Sequence, residues 1–236
     1  MIGILKSKLV EKSDVLFKMN NGIVTYVNPY SYLKLRKNIK LDSIDFITSD
    51  GIVIKILSRF FLKRSVQRLS PDFSSYFKEL FLDAVSKKNT VYFIGAKPEL
   101  IDTSVQNIKN KFPLLNIVGY RHGFFENEID MDDQVLEMTF LNPDLVIVGM
   151  GAPLQEKYLI KLKESNWNGN GYACGGFLHQ TNKSVEYYPE WMNKMNLRWL
   201  YRIYCEPKLI RRYTVDYFWF LLVFFFDLIR YKFKKS

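Results

Sequence analysis

Apolar residues along the chain follow two alternating patterns. Short, mostly apolar runs, most of them rich in β-branched residues, recur at 22–27, 44–48, 90–94, 114–118, 145–148 and 171–174, and the one at 145–148 is unbroken. Runs of this length suit strands buried on both faces, as in a parallel sheet. Between them lie longer segments with apolar residues three and four apart, the spacing of a helix with one buried face. In 52–61, for example, Ile52, Val53, Ile56, Leu57, Phe60 and Phe61 fit one face. Further helices are predicted at 30–37, 70–86, 98–112, 127–141 and 153–163, after an irregular or weakly helical lead-in over 1–18. The alternation is strictest from 90 to 176. It predicts βαβ crossovers and an α/β fold: a Rossmann-like, mainly parallel sheet with helices on both faces.

Ligands of such sheets bind beyond the carboxyl ends of the strands. Asn28, Asp50, Gly95, Gly149 and Gly175 each follow a predicted strand and are expected to converge on one crevice. The most informative stretch is 143–156, Pro-Asp-Leu-Val-Ile-Val-Gly-Met-Gly-Ala-Pro-Leu-Gln-Glu. Gly149 and Gly151 let the backbone turn sharply and let a ligand approach it. Pro153 suits the first turn of a helix, which would also hold Gln155 and Glu156. A strand, a glycine turn and a helix start make a site for phosphate or a sugar. An ordinary βα turn has the same local pattern. Asp50 and Gly51 lie between a strand end and a helix start, where an N-cap is the alternative to a functional carboxylate. Lys63, Arg64 and Arg68 form a basic connection, read as a mobile, solvated loop or as a neutraliser of a diphosphate.

After Gly176 the character changes. A helix is expected to start at 189–192, to continue or restart at 197–202, and to restart again at Pro207. Residues 217–226 carry no charge, with Asp227 and Arg230 beyond. A membrane-crossing helix needs roughly 20 apolar residues, so no span is predicted. An aromatic segment flanked by Arg211, Arg212, Lys232, Lys234 and Lys235 suits a helix lying on an anionic membrane surface. A core or oligomer-contact helix is the alternative, and a homo-oligomer is left open. Nucleic acid is not expected, because the aromatics are contiguous rather than spread along a basic groove. The chain is accordingly divided into an α/β domain, 1–190, and a C-terminal helical, membrane-associating appendage, 191–236.

Composition adds three limits. The 236 residues are 48% hydrophobic, enough for a sizeable core. The net charge is +10, and residues 198–236 hold nine Lys and Arg against three Asp and Glu, so most of the excess lies in the tail. Cys174 and Cys205 form no CxxC pair, and His122 and His179 have no ligand-spaced partners. No disulfide framework, metal site or cofactor is therefore expected. Lys6, Lys8, Glu11 and Lys12 interrupt the first apolar runs, so no signal peptide is predicted.

Taken in order, these motifs resemble the WecG/TagA/CpsF glycosyltransferases, glycosyltransferase family 26. The 143–156 stretch is close to that family's PDL-hydrophobic-GxGxPxQE signature. Asn28 followed by Ser49-Asp50-Gly51 is similar to its TxN strand end and DG turn. Leu197 to Arg202, Glu206-Pro207 and Arg211-Arg212-Tyr213 resemble its LEWxxR, EP and RRY tail, and 119–125 its G…GYF segment. The resemblance spans about 20–213. It implies transfer of a sugar from a UDP-sugar to a polyprenyl-diphosphate-linked saccharide, usually on undecaprenol, with inversion and without a metal. It places this at the cytoplasmic face of the plasma membrane, in synthesis of capsule, exopolysaccharide or a related surface polysaccharide. It makes Asp50 the candidate general base and Asn28 a sugar ligand. Gly51 and Gly95 would line the site. Gly149, Gly151, Gln155 and Glu156 would hold the donor. Arg202, Arg211 and Arg212 would close over the diphosphate.

The chemistry is coherent on its own terms. An inverting transfer needs one base opposite the leaving diphosphate, and without a metal that charge falls to arginines and helix N-termini. Three positions depart from the pattern. Tyr26 replaces the Thr, His179 stands where an Asp is common, and Tyr187-Tyr188 replaces Arg-Ala. His179 is read either as a structural histidine or as a sugar contact. Two other functions stay open: a non-catalytic peripheral membrane component of a polysaccharide assembly complex, and a nicotinamide-dependent oxidoreductase. The second is weakly signalled, because Gly149-Met150-Gly151 leads into Pro153 and Leu154 rather than completing GxGxxG.

Overall fold

The computed structural model describes the chain except residues 39, 185, 186, 190, 193, 194, 196, 235 and 236. Two positions named above, Glu190 in the 189–192 helix and Lys235, lie outside the described residues. The strands are β1 (Ile23–Val27), β2 (Phe46–Ser49), β3 (Thr90–Gly95), β4 (Asn116–Arg121), β5 (Leu145–Gly149) and β6 (Asn170–Ala173). They form one sheet in the order β2-β1-β6-β5-β3-β4. Every neighbouring pair is parallel.

The helices are α1 (Ile2–Lys8), α2 (Pro29–Asn38), α3 (Ile52–Leu57), α4 (Tyr76–Lys87), α5 (Pro98–Lys111), α6 (Glu128–Leu141), α7 (Leu154–Glu164), α8 (Phe177–Lys183), α9 (Arg198–Cys205) and α10 (Tyr217–Phe233). They cover both faces. Strand side chains alternate between two cores: Val146 and Val148 of β5 join one, Leu145 and Ile147 the other. The first core takes residues from α2, α6, α7 and α10, the second from α4, α5 and α8.

Most expected boundaries hold within a few residues, and the departures have physical causes. Helix α4 begins at Tyr76 rather than near Ser70, because Ser70 and Asp72 spend their side chains on tertiary partners. Strand β4 starts two residues late, because Leu115 closes a turn onto the Phe112 carbonyl. Pro153 is the residue before α7 rather than its first, and its bond to Ala152 is cis. Helix α8 was not anticipated. The 63–68 connection is tied down rather than free: Arg64 bonds Glu11 and the Leu9 carbonyl at 2.9 Å each, and Leu69 N–H donates to Ser49 at 2.8 Å.

Helix α10 docks on the sheet domain. Phe220, Phe224 and Leu228, one stripe at i, i+4 and i+8, are buried in the first core. Tyr32 Oη donates to Asp227 at 2.7 Å and Arg36 Nε to the same oxygen at 2.9 Å. The opposite stripe, including Trp219, Leu222, Phe226 and Ile229, is exposed. No helix among the described residues is long and apolar enough to cross a membrane.

Candidate active site

The turns after β1, β2, β5 and β6 surround a cavity of about 450 Å³. Asn28, Asp50, Gly51, Gly151, Arg202 and Arg212 all line it, so six of the expected site residues do meet. Asn28 ends β1 at the head of α2. Its Oδ1 accepts from Ser31 N–H and Ser31 Oγ accepts from Asn28 N–H, each at 2.9 Å, which locks the side chain. The remaining amide group donates to Asp50 Oδ2 at 2.9 Å. Ser70 Oγ donates to Asp50 Oδ1 at 2.7 Å. Asp50 is thus held at both oxygens and caps no helix; the residue before α3 is Gly51, at φ +89°. Nothing lies within 4 Å of where a Gly51 or Gly151 side chain would start, so both turns leave room for a ligand.

Cations come from the C-terminal segment and from the 63–75 connection. Arg202 projects from α9, and its Nε is buried without a hydrogen-bond partner. Burial works against its charge, but Tyr188, Tyr213 and the Glu206 and Asp50 carboxylates outweigh that and hold its pKa above the ordinary value. A buried unpaired guanidinium N–H is costly, and the rest of the same guanidinium lines the cavity, where it suits an anion. Arg212 stacks on Tyr30 with 4.0 Å between guanidinium and ring centre. Arg68 also lines the cavity, its pKa lowered by burial and by Arg198. Burial pushes the Asp72 carboxyl above its usual range against the pull of Arg198, and Asp50 adds to the rise.

The other expected residues sit elsewhere. Gly149 and His179 line a second cavity, of about 530 Å³, with Lys97 and Lys157. The Gly149–Gly151 turn therefore has one glycine at each cavity. Burial lowers the His179 pKa, as do Lys183, Lys208 and Arg202, against Glu206, which favours the neutral ring. Gly95 contacts neither cavity: a side chain there would start 2.5 Å from the Gly149 carbonyl oxygen, so its smallness serves the packing of two turns. Gln155 and Glu156 are fully buried behind the cavity. Gln155 Oε1 accepts from Gly151 N–H at 3.2 Å and Gly175 N–H at 3.0 Å, and its amide donates to Glu156 at 2.8 Å. Glu156 also accepts from Thr25 Oγ at 2.6 Å, and burial raises its pKa. The pair clamps the β5 and β6 turns to β1. Arg211 is exposed and lines neither cavity.

Sequence reasoning missed Ser70, Asp72 and Arg198 as site residues. Their signal, Ser-Pro-Asp, looks locally like a helix start, and only the fold brings it under Asp50. Tyr26, one of the departures, lines the cavity with its hydroxyl against Gly175, where a Cβ would lie 2.2 Å from that oxygen. Among the described residues no group of three or more His, Cys, Asp or Glu is placed to hold a metal ion.

Asp50 and the half-buried Arg68, Arg202 and Arg212 share one cavity beyond the carboxyl ends of a parallel sheet, the arrangement of an α/β protein with a site suited to an anionic ligand. The chain belongs to the glycosyl transferase WecG/TagA/CpsF family, whose model matches residues 5–234. It is 32% identical over 219 residues to the UDP-Gal:alpha-D-GlcNAc-diphosphoundecaprenol beta-1,4-galactosyltransferase of Shigella boydii, covering 93% of this chain and 92% of that one. It is 30% identical over 190 residues to the N-acetylglucosaminyldiphosphoundecaprenol N-acetyl-beta-D-mannosaminyltransferase of Bacillus subtilis (strain 168), covering 79% and 72%. Family membership sets aside the nicotinamide-dependent alternative.

Proposed function

We propose that this chain transfers a sugar from a UDP-sugar to N-acetylglucosaminyl diphosphoundecaprenol, with inversion and without a metal, during synthesis of a bacterial surface polysaccharide such as capsule or exopolysaccharide. Both relatives' names carry that acceptor, while their transferred sugars differ. The observation that supports the reaction best is the shared cavity: Asp50, held by Asn28 and Ser70, lines the same space as Arg202 and Arg212.

In this reading the acceptor hydroxyl gives its proton to Asp50 as its oxygen bonds to the donor's anomeric carbon. The bond from that carbon to the UDP oxygen breaks, and UDP leaves with the electron pair. Arg202, whose guanidinium lies 3.6 Å from where a Gly176 side chain would start, meets the charge on the leaving diphosphate. The nucleoside extends past the Gly149–Gly151 turn toward His179, whose neutral ring offers one donor and one acceptor. Arg212, over Tyr30 on the other side, meets the acceptor's diphosphate. Gln155 and Glu156 shape the donor turn from behind. The exposed stripe of α10 and the basic tail seat the protein on the cytoplasmic face of the membrane as a peripheral enzyme.

The test is Asp50→Asn assayed against a panel of UDP-sugars with a synthetic lipid-diphosphate N-acetylglucosamine acceptor. Transfer is expected to fall by on the order of a hundredfold or more while UDP binding persists. Turnover near that of the unmodified chain would remove Asp50 from the mechanism.

A further inference from the structure

Resting on that reaction, we propose a further binding site: an apolar seam between α3 and α10 that holds the first prenyl units of the acceptor. The argument starts at the cavity. Val53 at the head of α3 and Tyr217 at the head of α10 both line it. The two segments meet again further along each chain. Beyond Leu57 a π-helical turn, Ser58–Leu62, carries α3 on. Phe61 then meets α10 edge-on, 5.1 Å from Phe225 and 6.4 Å from Phe224 between ring centres.

Between those two ends, beside the exposed Lys55 and Arg59, both helices carry large apolar side chains open to solvent. Ile56 is 47% exposed and Phe60 71% on the α3 side, and Leu221 is 38% exposed on α10. Ile52 and Ile56 are spaced i and i+4 on α3, and Tyr217, Leu221 and Phe225 are spaced i, i+4 and i+8 on α10, so α10 presents one stripe. From Tyr217 to Phe225 the helix rises about 12 Å. Large apolar side chains left open in a group mark a surface that a partner or ligand covers.

The occupant follows from the substrate's covalent order. The sugar hydroxyl must reach Asp50, and the diphosphate matches the cation Arg212, which lines the cavity together with Tyr217. The hydrocarbon chain begins at that diphosphate and has to leave past the same mouth, where Val53 and Tyr217 open the seam. A bilayer lipid has no such fixed relation to the cavity. The seam therefore takes the acceptor's own chain, and the remaining units continue into the membrane.

The experiment uses the full chain, without vesicles, and two soluble acceptors with the same N-acetylglucosaminyl diphosphate head: one benzyl, one farnesyl, each below its aggregation threshold. Calorimetry gives affinity and a transfer assay gives KM. The farnesyl compound is expected to bind about tenfold more tightly, since only a part of its methylenes is buried. Ile56→Glu, Phe60→Glu and Leu221→Glu should each erase most of that advantage and leave the benzyl compound's KM unchanged. All three positions are exposed, so none of the changes empties a core. Transfer to both compounds at equal affinity would overturn the seam and leave the reaction standing. Chain-dependent binding with no transfer from any UDP-sugar would sink the reaction and support the seam. Variants that keep the full farnesyl advantage would show that these side chains do not hold the chain and overturn the proposal.

Discussion

Arg198 meets Asp72 at 2.9 Å across 126 residues of chain. The same guanidinium donates to the Ser74 carbonyl at 3.0 Å and lies 5.1 Å from the centre of the Tyr188 ring. Both partners are largely buried, with side chains 11% and 15% exposed. The pair joins the segment whose Ser70 holds Asp50 to the helix that carries Arg202. It therefore fixes the distance between the proposed base and the proposed diphosphate ligand.

A double-mutant cycle measures that link. Asp72→Asn and Arg198→Gln are each expected to lower stability, because each takes the opposite charge away from a largely buried ion. The coupling between them should be roughly 0.5–3 kcal/mol by chemical denaturation. Transfer should fall mainly through kcat, on the order of tenfold, as Arg202 loses its placement. Additive stabilities with unchanged kcat would show that α9 is held by its other contacts alone.

The docking of α10 is expected to respond to acid. Burial disfavours the Asp227 carboxylate, but hydrogen bonds from Arg36 and Tyr32 outweigh it and hold its pKa below the ordinary value. A carboxyl whose folded pKa is depressed contributes stability that is complete above its unfolded value, about 3.9, and lost as pH falls through the folded one. Asp227→Asn should thus be less stable than the unmodified chain at pH 7, with the gap closing below about pH 4. A gap that stays constant into acid would mean that the ionised carboxylate is not its source.

Membrane attachment is best tested on the outer stripe of α10. Deleting the helix would also remove Phe220, Phe224 and Leu228, each worth roughly 1.5–3 kcal/mol of burial, and would confound binding with unfolding. Trp219→Glu, Leu222→Glu and Phe226→Glu together change exposed positions only. They are expected to abolish flotation with anionic vesicles at an unchanged melting temperature. Persistent flotation would assign that stripe to another role, such as a contact between copies of the chain.

Much of the fold was legible in the chain because its signals are local. Strand β5 is a run of branched apolar residues buried on both faces, and α5 starts at Pro98 as the helix rules require. The position of Asp50 was legible for the same reason, since a strand end before a glycine marks a crevice residue. Its partners were not. Ser70 lies 20 residues away and Asn28 lies 22, and neither spacing carries a local pattern. The burial of Gln155 and Glu156 was not legible either: a polar pair in a helix's first turn looks exposed to a ligand, yet both side chains are buried and tie two turns to β1.

By itself the sequence determined the order and type of the elements, the parallel sheet and the carboxylate at the end of β2, because hydrophobic period and turn chemistry act over a few residues. Only the tertiary structure decided which polar groups share the cavity, which glycines serve packing rather than ligand, and which stripe of α10 remains outside. Those outcomes depend on which segments fill the space beside one another, and burial and hydrogen bonding between distant segments set that only once the sheet has closed its order.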